Sequence, residues 1–331
     1  MSKKNDIIAA LELKQNFGLI PTFELEFQLT EELLGKKYHK GEDWLGKSKK
    51  EKEKMAKENA ELYVEVAEKL GYYAIMETYA PDLETRIETI KEIKKIAGEK
   101  YFLLAHGDAT YGIPFRNVEE YCCNFLLKPD EMKENAKKAV KKALEEGKKL
   151  LENGLDGFAL CSDYCDNRGL FLGPKIFKEF IYPYLCELVE GYKKMGAYVI
   201  KHTDGNIMYL VDGRPVIEYL IDSEPHAIHS LDPTAGVDIR EIREKYGNKV
   251  CLIGNVDCTL LHRGTREDVR KSCEYALKYG MPKKGNNPVG GYIYSTSNVV
   301  FKAKTEKENE EILDKYLNVM LKLWREKGEF K

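Results

Sequence analysis

The chain has 331 residues, 43% of them hydrophobic, enough for two average domains or for one α/β barrel with a substantial core. Its 53 basic and 55 acidic residues nearly cancel to a net charge of −2, and no basic block stands out, which argues against a nucleic-acid partner. No apolar run approaches the roughly 18 residues of a membrane span, so no membrane association is expected.

The eight cysteines form no Cys-x-x-Cys pair; the nearest spacings are Cys122-Cys123 and Cys161 to Cys165. The first residues are charged and helical in period, without a secretory apolar core. Reduced thiols and a cytoplasmic location are therefore expected.

In chain order, residues 7–17 read as a short amphipathic helix within an N-terminal helical extension, residues 1–18. Residues 19–27 alternate as a strand does. A polar, glycine-punctuated stretch at 35–50, carrying Tyr38, His39 and Trp44, reads as an insertion over one face. Lys49–Lys69 is a predicted helix with Met55, Leu62, Val66 and Leu70 on its apolar side, ended by Gly71. From there a unit repeats. Tyr72–Met76 ends on Glu77 and Thr78 and leads into a helix over Asp82–Ala97. Tyr101–Ala105 ends on His106 and Asp108, then comes the helix Asp130–Glu152. Gly157–Leu160 ends on Cys161, Ser162 and Asp163, followed by helix from Pro174 to Met195. Tyr198–Ile200 ends on His202 and Asp204, with short helices expected near Ile207–Leu210 and Val216–Ile221. Ala227-Ile228, Val250–Ile253 and Tyr292–Tyr294 complete the series, ending on His229 and Asp232, Asn255 and Asp257, and Ser295 and Ser297.

Eight short apolar strands, each followed by helix, predict parallel strands covered outside. The expected fold is a single (β/α)8 TIM barrel over residues 1–331, rather than an open doubly wound sheet. No glycine-rich nucleotide signature follows any strand.

In such a barrel the polar strand ends share one rim, where these enzymes place their chemistry. Some of those residues serve only as caps and turns. His202 and Asp204, two apart on a strand, project to the same side. That pair suits a metal or a proton transfer; the plainer alternative is a turn beside a hydrogen-bonded core histidine. Tyr79, Tyr111, Phe115, Tyr164, Phe171, Tyr292 and Tyr294 lie next to the rim and suit a flat or apolar ligand.

Several stretches together resemble the uroporphyrinogen decarboxylase superfamily: YGIPF (Tyr111–Phe115), GLFLGPKIFKEFIYPYL (Gly169–Leu185), GAYVIKHTDGN (Gly196–Asn206), LDPTAGVDI (Leu231–Ile239), CLIGNVD (Cys251–Asp257) and GGYIYSTSN (Gly290–Asn298). The resemblance implies the same (β/α)8 barrel and one of two chemistries. The decarboxylase branch grips porphyrinogen carboxylates with an arginine-rich RQAGR signature in the first unit. Here residues 17–35 contain no Arg or Lys, but do contain Glu24, Glu26, Glu31 and Glu32. A polycarboxylate needs cations to offset its desolvation. The other branch, corrinoid-dependent methyltransferases, implies zinc held by His-x-Cys and a distant Cys. Here the first part reads His202-Thr203-Asp204, and the last strand has Ser295 and Ser297, which leaves a harder N/O donor set.

The resemblance then implies demethylation of a methyl ether, with Zn²⁺ on His202, Asp204 and a third ligand from Glu77, Asp163 or Cys258, and a cobalt corrinoid carried by a partner protein. Asp108, Asp163 and His202 are the catalytic candidates. Glu24, Glu26, Tyr111, Asn255, His229 and Tyr294 are the candidates for binding a small-molecule substrate. The alternatives are a metal-free carboxy-lyase using Asp108 or Asp163 as proton donor, and a non-catalytic binding barrel. A homodimer is compatible with the barrel's helices.

Overall fold

The computed structural model describes every residue except Met1, Phe17, Lys284, Asn286 and Asn287. The outer bounds of the expected N-terminal helix, Met1 and Phe17, thus lie outside the described residues; within them the helix spans Lys3–Leu11.

Seven strands form one parallel sheet in sequence order: β1 (Ala74–Glu77), β2 (Phe102–His106), β3 (Gly157–Leu160), β4 (Tyr198–His202), β5 (Ala227–His229), β6 (Cys251–Val256) and β7 (Tyr292–Thr296). Each is buried nearly throughout, as continuous apolar runs covered by helices require.

The eighth strand differs from expectation. The extended segment after Leu19 joins the ring only by single bridges, Thr22 to Tyr294 and Phe27 to Val300. Pro21 has no N–H to give to a ladder. Side chains fill the deficit. The Gln15 carboxamide donates to the Tyr292 carbonyl (2.9 Å) and accepts its N–H (2.7 Å), and Thr22 Oγ1 donates to Tyr294 O (2.6 Å). On the other side the Tyr73 N–H donates to Thr22 O at 2.9 Å, so the curled sheet closes into a TIM-barrel-like ring.

The helix Lys3–Leu11 lies across the amino ends of the strands. Lys3 Nζ donates to Tyr72 O (2.7 Å), the Lys4 N–H donates to Lys100 O (3.1 Å), and Glu12 just beyond the helix accepts from Tyr198 (2.9 Å). Gly291 permits the approach: a Cβ there would stand 1.8 Å from the Ala10 carbonyl oxygen. With that end covered, the carboxyl-end rim is the accessible one.

One local reading needs amendment. Residues 207–210 form no helix; Leu210–Val211 pairs antiparallel with Arg214–Pro215 around Asp212-Gly213, because an Asp-Gly pair favours a tight hairpin over helix. Residues 35–48, with a short 3-10 helix at Gly41–Trp44, lie against the helix Lys49–Leu70, where Asn59 pairs with both backbone groups of His39 (2.8 and 2.9 Å) and Trp44 is buried.

Candidate metal centre

β4 and β5 pair in register so that His202 and His229 stand side by side at their carboxyl ends. Their Nδ1 atoms are 2.7 Å apart, so one hydrogen lies between them. His229 Nε2 is 3.1 Å from the Thr296 carbonyl oxygen, which can only accept. Hydrogen-bond accounting therefore puts a proton on His229 Nε2. Both rings are buried, and burial holds both imidazoles below their ordinary range: His202 falls to about 3, with the Lys201 and His106 charges adding to the effect, and His229 lies well below normal. A neutral His229 has a bare Nδ1, so His202 donates from Nδ1 and its own Nε2 carries a lone pair.

That lone pair faces two carboxylates. His202 Nε2 is 3.6 Å from Asp163 Oδ1 and 3.7 Å from Asp204 Oδ1. These separations are too long for hydrogen bonds. They sit a few tenths above the edge of about 3.4 Å for a tetrahedron with bonds of roughly 2.1 Å to zinc. One donor atom from each of the three residues lies within 4.8 Å of the others.

Other contacts hold the carboxylates in place. Asp163 Oδ1 accepts the Asp204 N–H at 2.8 Å, and Asp204 Oδ2 accepts from the Asn298 amide. Gly205, at φ +84°, turns the chain sharply and aims its N–H at Asp232 Oδ2 (3.2 Å); a Cβ there would press within 2.4 Å of the Cys165 carbonyl oxygen. Asp204 Oδ1 is buried and has no hydrogen-bond partner among the described residues; Ser230 Oγ beside it likewise makes no bond of proper geometry. Burial, then the neighbouring Asp163 charge, raises Asp204 to about 7, and burial raises Asp163 as well. A bare imidazole nitrogen, an orphaned carboxylate oxygen and two destabilised anions are what a cation would satisfy. The donor set fits a divalent ion.

The remaining candidates are placed as follows. Glu77, expected as a possible ligand, is buried against Arg86 Nε (2.8 Å) and the Ala80 N–H (2.8 Å); the acid that joins His202 and Asp204 is Asp163. Cys258 is buried, its thiol pushed up to about 11 by burial, and stands outside the trio. Asp108 is saturated: it accepts from Lys201 Nζ (3.1 Å), the Ser162 N–H (2.9 Å) and Thr110. Although burial opposes it, the Lys201 charge holds Asp108 below its ordinary value. Glu24 accepts from Ser295, Thr296 and Tyr316, and burial raises it to about 7. Glu26 accepts from Tyr79 (2.6 Å), and Asn255 donates to the Leu231 carbonyl (2.8 Å). Tyr111 donates to Met132 O in a satellite aromatic cluster. Tyr294 is fully buried with its hydroxyl toward Met320 O, on the helix side of the wall.

The expected aromatic pocket does not surround the trio. Phe115 is 99% exposed, and Tyr164 and Tyr292 are wholly inside the wall. The mouth is instead lined by Ile113, Cys165, Asp166, Arg168, Gly205 and Asp232. Two contributors escaped the sequence reading, Asn298 on Asp204 and Lys201. A lysine inside the apolar run Tyr198–Ile200 into His202 is itself a signal, since a buried charge demands a partner.

A family model described as uroporphyrinogen decarboxylase (URO-D) matches residues 73–310. The chain belongs to the uroporphyrinogen decarboxylase family. Among solved structures, a methyltransferase from Methanosarcina mazei is similar at a TM-score of 0.70, with 15% identity over 98% of this chain and 99% of that one. A GH5_18 protein from Bifidobacterium longum subsp. infantis follows at 0.55, with 9% identity over 95% and 79% of the two chains. At these identities the likeness is one of fold. No curated protein matches the chain. Within the uroporphyrinogen decarboxylase family, then, this member carries a His-Asp-Asp trio at the carboxyl rim.

Proposed function

We propose that the protein is a methyltransferase that removes the methyl group of a small, polar methyl ether and passes it to a cobalt corrinoid on a partner protein. The observation carrying this reading is His202 Nε2 standing 3.6 and 3.7 Å from two part-buried carboxylates, with a hydrogen bond to neither. The similarity in fold to a methyltransferase supports it. Asp163, His202 and Asp204 would hold Zn²⁺, which supplies Lewis acidity toward the ether oxygen when bound.

The chain's own groups do the rest. The Asp204 N–H and the Asn298 amide orient the two carboxylates, so that Oδ1 of each stands toward His202 Nε2. Asp166, Arg168 and Asp232 line the approach and suit a polar donor. The same acidic mouth opposes a polycarboxylate, and Arg168, paired with Asp166 at 2.7 Å, is its one cation among the lining residues. With Asp108 locked to Lys201, a metal-free decarboxylation would lack one of its two expected proton donors.

The test is elemental analysis of purified protein, then incubation with a Co(I) corrinoid protein and a panel of methyl ethers. About one Zn²⁺ per chain, lost in His202→Ala, together with methyl-cobalt formation is the expected result. Native protein that is metal-free and still active would sink the reading.

A further inference from the structure

Behind the trio lies a residue that cannot reach substrate. His229 is completely buried, its Nδ1 on His202 and its Nε2 on the Thr296 carbonyl. Sequence position alone groups it with the rim's substrate-binding residues; in the fold it lies a layer deeper.

The Thr296 carbonyl has no hydrogen to offer, so the contact forms only if His229 Nε2 is protonated. The single hydrogen between the two Nδ1 atoms then belongs to one ring or the other. Placing it on His229 would make that ring a cation at 0% exposure with no carboxylate paired to it among the described residues, whereas Asp163 and Asp204 both stand on the far side of His202. The hydrogen therefore sits on His202 Nδ1. This direction of donation is the same whether a metal or a proton occupies His202 Nε2.

We infer that His229 is a positioning residue: anchored by the Thr296 carbonyl, it accepts from His202 Nδ1 and so turns the Nε2 lone pair toward Asp163 and Asp204. The inference rests on the cation-site reading for its purpose, but its geometry stands apart from it.

Two variants and one spectrum test it. Asn at position 229 keeps an acceptor near the place of Nδ1; Leu keeps bulk and removes it. Folding of both is checked by circular dichroism, and Zn²⁺ affinity is measured by competition with a chromophoric chelator. His229→Leu is expected to lose about 10- to 100-fold in affinity, as loss of a group orienting a metal-bound histidine does, while His229→Asn stays close to wild type. Nitrogen-15 NMR of the metal-free wild type is expected to show His202 protonated at Nδ1. An unprotonated Nδ1 overturns the inference. So does a Leu variant that binds like wild type, or equal losses in two folded variants, since ring packing and not the acceptor would then hold His202. If wild type takes up no metal while His202 Nδ1 carries the proton, the metal reading falls and the positioning role stands.

Discussion

Lys201 and His202 are neighbours on β4 and face opposite ways, as strand residues must. One side chain goes to the trio. The other is entirely buried, giving its ammonium to Asp108 and to the Leu160 and Ser162 carbonyls over the face of Tyr164 at 4.0 Å. Removing one partner of such a pair strands the other charge, so Lys201→Met is expected to cost about 3–5 kcal/mol in denaturant unfolding. Adding Asp108→Asn should recover part of that loss; a Lys201→Met protein as stable as wild type would contradict the pairing. At this scale the sequence was partly readable. The spacing of His202 and Asp204 showed that they share a side. Which acid completes the trio did not show, because Glu77 is neutralised by Arg86 nine residues away on the following helix, and that pairing depends on how the helix packs back.

Local structure was the most legible, because its causes are local. The helix Leu83–Ala97 begins where Asp82 accepts the Thr85 N–H at 2.9 Å and Lys52 adds its ammonium at 2.7 Å. Burial pulls the Asp82 pKa upward, but those two donors outweigh it and bring the carboxyl down to about 2. A folded-state pKa below the unfolded value of about 3.9 means that the stabilisation is complete above that pH. It then disappears as the pH falls through about 2. Asp82→Ala is accordingly expected to cost about 1 kcal/mol at neutral pH. The gap between variant and wild type should close between about pH 4 and 2 in urea unfolding curves; a gap independent of pH would refute the role. The eighth strand was not legible in the same way. Its alternation was present in residues 19–27, but Pro21 breaks the ladder, and the repair comes from the side chains of Gln15 and Thr22 acting on a strand some 270 residues later.

For the whole molecule, eight chain units in order were enough to read a barrel, and the ring and family membership agree with that reading. What covers each end was not readable, since it depends on the fit of the helix Lys3–Leu11 against Gly291. Gly291→Ala should force that helix away from the strand starts, and hydrogen exchange over residues 3–11 is expected to quicken while exchange in β4 and β5 changes little. Unaltered exchange in that helix would show the fit to be looser than drawn. The covered end has a kinetic corollary. A barrel stopped at one end works as a one-door room, and under the proposed methyl transfer the donor and the acceptor would have to use that door in turn. A bulky acceptor standing in the doorway would trap a small donor already inside and bar one still outside. Turnover should then follow a compulsory order, donor first.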